Sequence, residues 1–189
     1  YFCATRYDIA QPLSRCGQFN AAPTEGAFDA LLRIIAYIKG TSGYKLAGPC
    51  VKGATFDLFV DSDHAGHAVT RRSRSGYIVY LNSTPIYWTS KKQGLIQTST
   101  FGSEFIAMKE CCEYVRSLRY KLRMMGIPCD YPAYILGDNK SVLVNSSVPT
   151  SVLKKKSCFI FVICAQSCGH IEAVWTLRSL KTSSQQYNF

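Results

Sequence analysis

Three carboxylates of this chain, Asp61, Glu104 and Asp138, lie in short segments with apolar flanks. Acids are scarce, since 12 Asp and Glu residues stand against 22 Lys and Arg residues. Mg²⁺ prefers oxygen ligands and keeps several of its waters, so a few carboxylates are enough to bind it. The residue types and their surroundings therefore indicate a metal site rather than solvated surface charge.

Such a site suits the hydrolysis of a phosphodiester. This reaction needs an attacking water and a leaving alkoxide to be stabilised around a negatively charged phosphorus. Two divalent ions about 3.5–4 Å apart can do both when shared carboxylates clamp them. Crowded carboxylates repel one another until metal binds. The expected cofactor is Mg²⁺, with Mn²⁺ as the alternative.

Each acid also has an ordinary structural explanation. Asp138 could cap the helix predicted after it, and Glu104 could favour a helix N-terminus through its charge. Asp61 could be a turn carboxylate at the end of a strand. Asp63 shares a face with Asp61 if the strand continues, and we assign it to the surroundings of the site or to the surface.

Three strands are predicted around the first acid. Apolar residues alternate along 56–61, which is the two-residue period of a strand and ends at Asp61. Residues 75–81 and 85–90 predict two further strands. Because turn-forming residues 82–84 separate them, we expect a hairpin.

Two helices are predicted from apolar residues that recur at intervals of three and four. The first covers 24–39, with Thr24 as N-cap and Gly40 as the stop. The second covers 102–125 and ends before Gly126. Its apolar stripe is formed by Phe105, Met108, Cys112, Val115, Leu118, Leu122 and Met125.

A short strand over 134–136 leads to Asp138, and a further helix is predicted over 139–145. Strands followed by a helix, then by another strand and helix, indicate an α/β fold with a mixed sheet. Residues 40–53, rich in Gly, Ser, Thr and Pro, separate this domain from the first helix.

Composition favours a folded, polyanion-binding protein. The chain has a net charge of +10, 47% hydrophobic residues and 13% aromatic residues. A basic surface without any such partner is the alternative. The residues expected to contact phosphates are Arg71, Arg72, Arg74, Lys91 and Lys92, followed by Arg116, Arg119, Lys121 and Arg123 on the long helix, where they could equally form its solvated face. The interleaved aromatics Tyr77, Tyr87 and Trp88 are more readily explained as core.

The remaining composition bears on where the protein works. The longest unbroken apolar run, residues 158–165, is far shorter than the roughly 20 residues of a membrane span, so no membrane association is expected. Nine cysteines without regular spacing are a poor disulfide framework, which favours reduced thiols and an intracellular location, cytoplasmic or nuclear. The chain begins at Tyr1 rather than Met, so we expect a piece of a longer protein.

Several short phrases follow one another in order along 5–156, and together they resemble the end of the Pol polyprotein of copia-type LTR retrotransposons. Five phrases are similar to its ribonuclease H region: Asp61-Ser-Asp-His-Ala-Gly66, Arg71-Arg-Ser-Arg-Ser-Gly-Tyr77, Trp88-Thr-Ser-Lys-Lys-Gln93, Ser103-Glu-Phe-Ile-Ala107 and Gly137-Asp-Asn-Lys-Ser141. Two upstream phrases resemble the segment that joins reverse transcriptase to that region: Thr5-Arg-Tyr-Asp-Ile-Ala10 and Ala36-Tyr-Ile-Lys-Gly-Thr41.

The resemblance implies a ribonuclease H-like fold, with three antiparallel strands followed by parallel ones. The catalytic carboxylates of the family match Asp61, Glu104 and Asp138, which would be the metal ligands. The implied activity is endonucleolytic removal of RNA from RNA–DNA hybrids during reverse transcription. The remainder of the Pol polyprotein, including reverse transcriptase, would be a partner.

The resemblance stops near Lys156. The family continues with a strand, a helix and an Ala-Asp-x-x-Thr-Lys phrase that carries a fourth metal-site Asp, whereas no Asp follows Asp138 here. We interpret residues 158–189 as a divergent tail, for which a shifted reading frame is one explanation. A zinc site is the alternative, although its spacing differs from the usual paired pattern. Its ligands would be Cys158, Cys164, Cys168 and His170.

Three parts are therefore expected: a reverse-transcriptase tail over 1–50, a ribonuclease H-like domain over 51–157, and the divergent tail over 158–189. The sheet is expected to be incomplete at its C-terminal side, and the activity to be weakened or lost. The competing hypothesis is a non-catalytic, basic, nucleic-acid-binding relic of a decayed element. A host gene of unrelated function would require the phrases to be accidental.

Overall fold

The described residues form a mixed four-stranded sheet in the order β3-β2-β1-β4. The computed structural model describes residues 2–49, 54–139 and 141–142. The strands are β1 (Phe56–Asp63), β2 (Arg74–Leu81), β3 (Thr84–Lys92) and β4 (Ala133–Leu136). The first three are antiparallel neighbours, and β4 is parallel to β1. The expected ribonuclease H-like mixed α/β fold is confirmed.

The hairpin of β2 and β3 is confirmed, and its turn is tighter than predicted. Asn82 and Ser83 both have positive φ, 50° and 64°. This conformation matches the right-handed twist of two strands joined by a two-residue loop. Asn82 Oδ1 also accepts from the backbone N–H of Thr55 at 2.9 Å, which ties the turn to the start of β1.

The long helix α4 runs from Thr100 to Met124 and covers one face of the sheet. Ser99 is its N-cap and accepts from Gly102 N–H at 3.2 Å, so the helix begins two residues before the predicted start. Its buried residues include most of the predicted stripe. Phe105, Met108, Cys112 and Val115 are buried, Leu118 and Leu122 are partly buried, and Met125 is exposed.

Within residues 2–49, three helices precede the sheet: α1 (Phe2–Thr5), α2 (Ala10–Cys16) and α3 (Glu25–Gly40), with 3₁₀ turns at Tyr7–Ile9 and Gly17–Phe19. Thr24 caps α3 as predicted, accepting from Ala27 N–H at 3.3 Å. Among the apolar residues of α3, only Ile34 is buried, whereas Phe28 and Ile35 are 60% and 52% exposed. No helix in the described parts of the chain combines the length and apolar character that a membrane crossing requires.

The two upstream phrases contact each other, and α1 contacts the sheet. Arg6 Nη2 donates to Asp8 and to Thr41 Oγ1, both at 2.6 Å, and Tyr37 Oη donates to Asp8 at 3.0 Å. Trp88 Nε1, on β3, donates to the Cys3 carbonyl at 2.6 Å. The preceding helical segment therefore packs on the sheet.

Several expectations fall on residues that the structure does not describe. Of the helix predicted over 139–145, residues 141–142 are helical and the positions beyond them lie outside the described residues. The tail over 158–189, with the alternative zinc ligands Cys158, Cys164, Cys168 and His170, also lies outside them. The domain limits at 50/51 and 157/158 remain predictions.

Candidate metal centre

The three predicted carboxylates converge. Each of Asp61, Glu104 and Asp138 offers an oxygen atom, and these oxygens lie within 4.8 Å of one another. Asp61 belongs to β1, Glu104 to α4, and Asp138 to the loop after β4. Residues separated by 77 positions therefore form one acidic cluster, as the resemblance implies.

Strand register explains how two of these acids meet. Phe59 of β1 pairs with Leu136 of the parallel strand β4. Asp61 and Asp138 each follow their paired residue by two positions, so they lie at the same end of these two strands. Neighbouring strands are about 4.8 Å apart, so side chains at matching positions on them lie close together. Helix α4 packs on β1 and brings Glu104 to the same end.

The structure removes the simplest alternative explanation for Asp138. The side chain that caps the following helical residues is that of Asn139, whose Oδ1 accepts from Ser141 and Val142 N–H at 3.1 and 3.2 Å. Glu104 is the fifth residue of α4 and therefore lies beyond its first turn. The first turn itself contains no acidic residue. A helix dipole acts mainly on the first turn, so it accounts poorly for this position.

Glu104 lies in the least solvated part of the cluster. A small depression beside it is lined by Val60, Met108 and Val142. Burial first of all, and then the negative charges of Asp138 and Asp61, raise the pKa of Glu104 to about 7. The hydroxyl and N–H groups of Ser62 favour the carboxylate form and so lower the pKa of Glu104 in part. The Ser62 hydroxyl nevertheless has no hydrogen-bond partner of ordinary geometry among the described residues.

The donor set fits a hard divalent cation. All three donors are carboxylate oxygens, and Asp61 and Asp138 are exposed, which leaves space for water on the ion. Asp61 Oδ1 accepts from Ser62 N–H at 2.8 Å, which helps to orient this carboxylate. Asp63 lies outside the triad: it is exposed and forms an ion pair with Arg15 at 3.7 Å.

The predicted phosphate-binding residues divide into two groups. Arg71, Lys91 and Lys92 are exposed, and Arg72 is half-buried. Arg74 is only 8% exposed, which does not fit a phosphate contact. Its Nη1 donates instead to Ser14 Oγ at 2.6 Å and to the Ser90 carbonyl at 3.3 Å. These bonds link α2 to β3.

Two of the arginines on α4 serve the fold. Arg119 Nη2 donates to the carbonyls of Cys129 and Tyr131 at 2.6 and 3.0 Å, and Arg123 Nη2 donates to the Cys129 carbonyl at 3.4 Å. They fix the loop between α4 and β4. Tyr77 is buried, and Tyr87 stacks on Tyr114 with ring centres 3.9 Å apart.

Sequence reasoning missed a group of polar residues beside Glu104. Three of them are at most 3% exposed: Ser75, Gln93 and Ser103. The side-chain amide of Gln93 donates hydrogen bonds to the Ser75 hydroxyl and to the Ser103 carbonyl. Gln93 and Ser103 both belong to the short phrases that resemble the ribonuclease H region. Their polar residue types within these phrases were the signal that the sequence offered. Their burial could not be read from the pattern, since neither lies in an apolar run.

No protein-family profile matches this chain. The chain is 33% identical over 142 residues to the retrovirus-related Pol polyprotein from transposon RE2 and 36% identical over 142 residues to that from transposon RE1, both of Arabidopsis thaliana. Each match covers 74% of this chain and 10% of the polyprotein. Secreted RxLR effector protein 161 of Plasmopara viticola is 33% identical over 109 residues, which are 58% of this chain and 77% of that protein.

Fold, acidic cluster and relatives define a retroelement-derived α/β domain with a ribonuclease H-like sheet. The chain belongs to the copia-type, retrovirus-related Pol polyproteins of transposons. It spans about a tenth of the length of the transposon polyproteins that it matches.

Proposed function

We propose that this domain hydrolyses the RNA strand of RNA–DNA hybrids with the help of two divalent ions, Mg²⁺ or Mn²⁺. The observation that supports this function most strongly is the meeting of three remote carboxylates, with oxygens within 4.8 Å of one another, at one end of the sheet. Homology to transposon Pol polyproteins supports reverse transcription as the setting.

Each acid has a distinct part in this proposal. Asp61 and Asp138, which are exposed, would hold the ions at the open side of the site, and Glu104 would hold them from the helix. Bound divalent ions would supply an activated water and neutralise charge on the scissile phosphate. Glu104 must give up its proton to bind metal, because its pKa lies near 7.

The substrate would lie across the same end of the sheet. Strand register places Asp63 opposite Arg74, and Arg74 opposite Lys92. Lys92 is thus two strands, or about 10 Å, from the end of β1 that carries the acids. We propose that Lys91, Lys92, Arg71 and Arg72 contact the phosphates of the hybrid, and that Arg74 does not.

Cleavage of a labelled RNA strand in a hybrid, with Mg²⁺ or Mn²⁺, tests the proposal. We expect Asp61→Asn to lower the rate at least about 100-fold, which corresponds to the loss of roughly 3 kcal/mol of transition-state stabilisation. Asp29→Asn, on the exposed side of α3, is the matched control and should cleave like the wild type. Equal cleavage by the wild-type and Asp61→Asn proteins would exclude the proposed centre.

A second candidate function is binding of nucleic acid without cleavage. The observation in its favour is that residues 158–189 do not match the Ala-Asp-x-x-Thr-Lys phrase of the family, and Glu172 is the one acid among them. The same experiment separates the two functions. Hybrid binding that weakens with salt, together with no cleavage by the wild type in either metal, would support the relic.

A further inference from the structure

A buried polar cluster lies beneath the start of α4. Ser73, Ser75, Gln93 and Ser103 are at most 3% exposed. Burying a polar group costs free energy unless the group is hydrogen-bonded. The hydrogen bonds of these four residues therefore show which segments of the chain the cluster connects. The four residues come from the β1–β2 loop, β2, the segment after β3, and α4.

Gln93 connects all of these segments. Its Nε2 donates to Ser75 Oγ and to the Ser103 carbonyl, both at 2.9 Å. Its backbone N–H donates to the Ser73 carbonyl at 2.8 Å. One residue therefore uses both hydrogens of its amide and its main chain to join β2, the segment after β3, and α4.

The contact with Ser103 is the one that reaches the acidic cluster. The carbonyl of Ser103 and the N–H of Glu104 belong to the same planar peptide group. Fixing that carbonyl therefore fixes the orientation of the backbone from which the Glu104 side chain extends. On its other side, Ser103 Oγ donates to the Thr100 carbonyl at 2.8 Å and lies 3.4 Å from His64 Nδ1.

The unpaired atom of Gln93 also bears on its role. Its Oε1 is buried and has no hydrogen-bond partner among the described residues. An apolar side chain of similar shape at position 93 would remove this unsatisfied acceptor, but it would also remove the two hydrogen bonds that the amide nitrogen donates. The donors are therefore the feature that distinguishes Gln from a packing residue at this position.

We infer that Gln93 is a positioning residue for the metal centre: by holding the Ser103 carbonyl, it sets the place of Glu104 relative to Asp61 and Asp138. This inference rests on the proposed metal-binding function of the three acids. Residues that orient metal ligands commonly change metal affinity 10–100-fold when they are replaced.

The first test measures binding of Mn²⁺ alone to the full chain, through the electron paramagnetic resonance signal of the free ion. We expect Gln93→Met, which keeps the shape and removes both donors, to weaken Mn²⁺ binding about 10-fold or more. The matched control is Gln18→Met on the exposed surface, which should bind like the wild type. Wild-type affinity in Gln93→Met would overturn the inference.

Ser75→Ala separates positioning from general loss of stability. It removes one partner of the Gln93 amide and leaves the bond to the Ser103 carbonyl in place. We expect its unfolding midpoint in urea to fall while its Mn²⁺ affinity stays within about 3-fold of wild type. An affinity loss as large as that of Gln93→Met would show that the Ser103 contact has no special part, and would overturn the inference.

Amide hydrogen exchange provides a readout that does not depend on metal. In Gln93→Met we expect the amides of the first two turns of α4 to exchange at least about 10-fold faster, with those of β1 unchanged. If Gln93→Met does not fold, Gln93→Asn, which is too short to reach both partners, is used with the same expectations. Unchanged exchange in α4 would overturn the inference even if no metal binds.

Failure of the proposed function would look different. Glu104→Gln removes the ligand and leaves Gln93 intact, so it should abolish Mn²⁺ binding if the acids form a metal centre. Equal binding by the wild-type and Glu104→Gln proteins would contradict the metal centre, whereas faster exchange in Gln93→Met would still support the contact between Gln93 and α4.

Discussion

Glu104 combines partial burial with two neighbouring carboxylates. Burial, together with the charges of Asp138 and Asp61, raises its pKa from an ordinary value of 4.5 to about 7. In the metal-free protein, Glu104 is therefore fully ionised only well above neutral pH. A bound cation would reverse this, because an opposite charge favours the carboxylate form.

Removing this charge should stabilise the metal-free protein in a pH-dependent way. Folding favours protonated Glu104, so its favourable contribution is complete below about pH 4.5 and is lost as the pH rises through about 7. We expect Glu104→Gln to be more stable than wild type by about 1 kcal/mol at pH 8 in EDTA, and by much less at pH 5. Urea unfolding at the two pH values measures this difference.

Added Mn²⁺ completes this test. It should raise the urea midpoint of the wild type at pH 8 and leave that of Glu104→Gln unchanged, since a ligand stabilises only the state that binds it. A stability difference between the two proteins that is the same at pH 5 and pH 8 would contradict the raised pKa.

The loop between β1 and β2, residues 64–73, has a defined shape although it contains strained residues. Ala65 and Arg71 have positive φ, 53° and 51°, which costs energy in residues other than glycine. Hydrogen bonds hold them there: Ala65 N–H donates to Ser73 Oγ at 3.1 Å, and Arg71 N–H donates to the His67 carbonyl at 2.8 Å. The exposed Arg71 side chain is thus presented from a fixed backbone.

The end of α4 depends on a glycine. Gly126 has a φ of 79°, its N–H donates to the Arg123 carbonyl, and Ile127 N–H donates to the Leu122 carbonyl, both at 2.9 Å. These two bonds form a Schellman motif. The motif reverses the chain toward β4, which in turn carries Asp138 to the candidate centre.

We expect Gly126→Ala to destabilise the protein by about 1 kcal/mol, because alanine is strained at this φ. A Cβ atom would meet nothing within 4 Å, so the cost is one of backbone conformation and not of a clash. Gly26→Ala in α3, which also meets nothing within 4 Å, is the control and should be neutral or slightly stabilising. Equal urea midpoints for the two variants would show that Gly126 is not required.

The N-terminal helices and the sheet form one connected structure. Ser14 Oγ, on α2, donates to the Ser90 carbonyl at 2.7 Å and accepts from Arg74 Nη1 at 2.6 Å. Arg74 is 8% exposed, and its Nη1 also donates to the Ser90 carbonyl at 3.3 Å. Ser14 therefore provides the shorter of these two hydrogen bonds to a buried guanidinium group. The segment resembling the end of a reverse transcriptase is thus part of the support of β3.

We expect Ser14→Ala to lower the free energy of unfolding by about 1–3 kcal/mol, since it leaves a buried donor of Arg74 poorly paired. Ser42→Ala, at an exposed position, is the matched control and should stay within about 0.5 kcal/mol of wild type. Urea unfolding followed by circular dichroism measures both. A wild-type midpoint for Ser14→Ala would show that α2 contributes little to the stability of the sheet.

The molecule as a whole leaves apolar surface uncovered within its described parts. Phe28, Leu32 and Ile35 of α3 are 60%, 47% and 52% exposed. The predicted amphipathic helix is α3, but its packing against α2 covers only part of its apolar face. Amphipathic periodicity shows that a helix has an apolar face, and only packing decides which neighbour covers it.

The sequence by itself determined the order of the elements from α3 to β4 and the identity of the three acids, whereas α1 and α2 were not predicted. Alternation in β1, the Thr24 cap and the glycine after α4 are local features, so they are readable without a fold. The family followed from short phrases, and homology to transposon Pol polyproteins confirmed it.

Tertiary structure alone decided which groups meet. The pairing of Phe59 with Leu136 brings Asp61 and Asp138 to one end of their strands, and the burial of Arg74 removes it from the basic surface. The Gln93 amide reaches Ser103 across ten residues. These relations depend on strand register and on packing between distant segments, and residue types along a chain do not encode such distances locally.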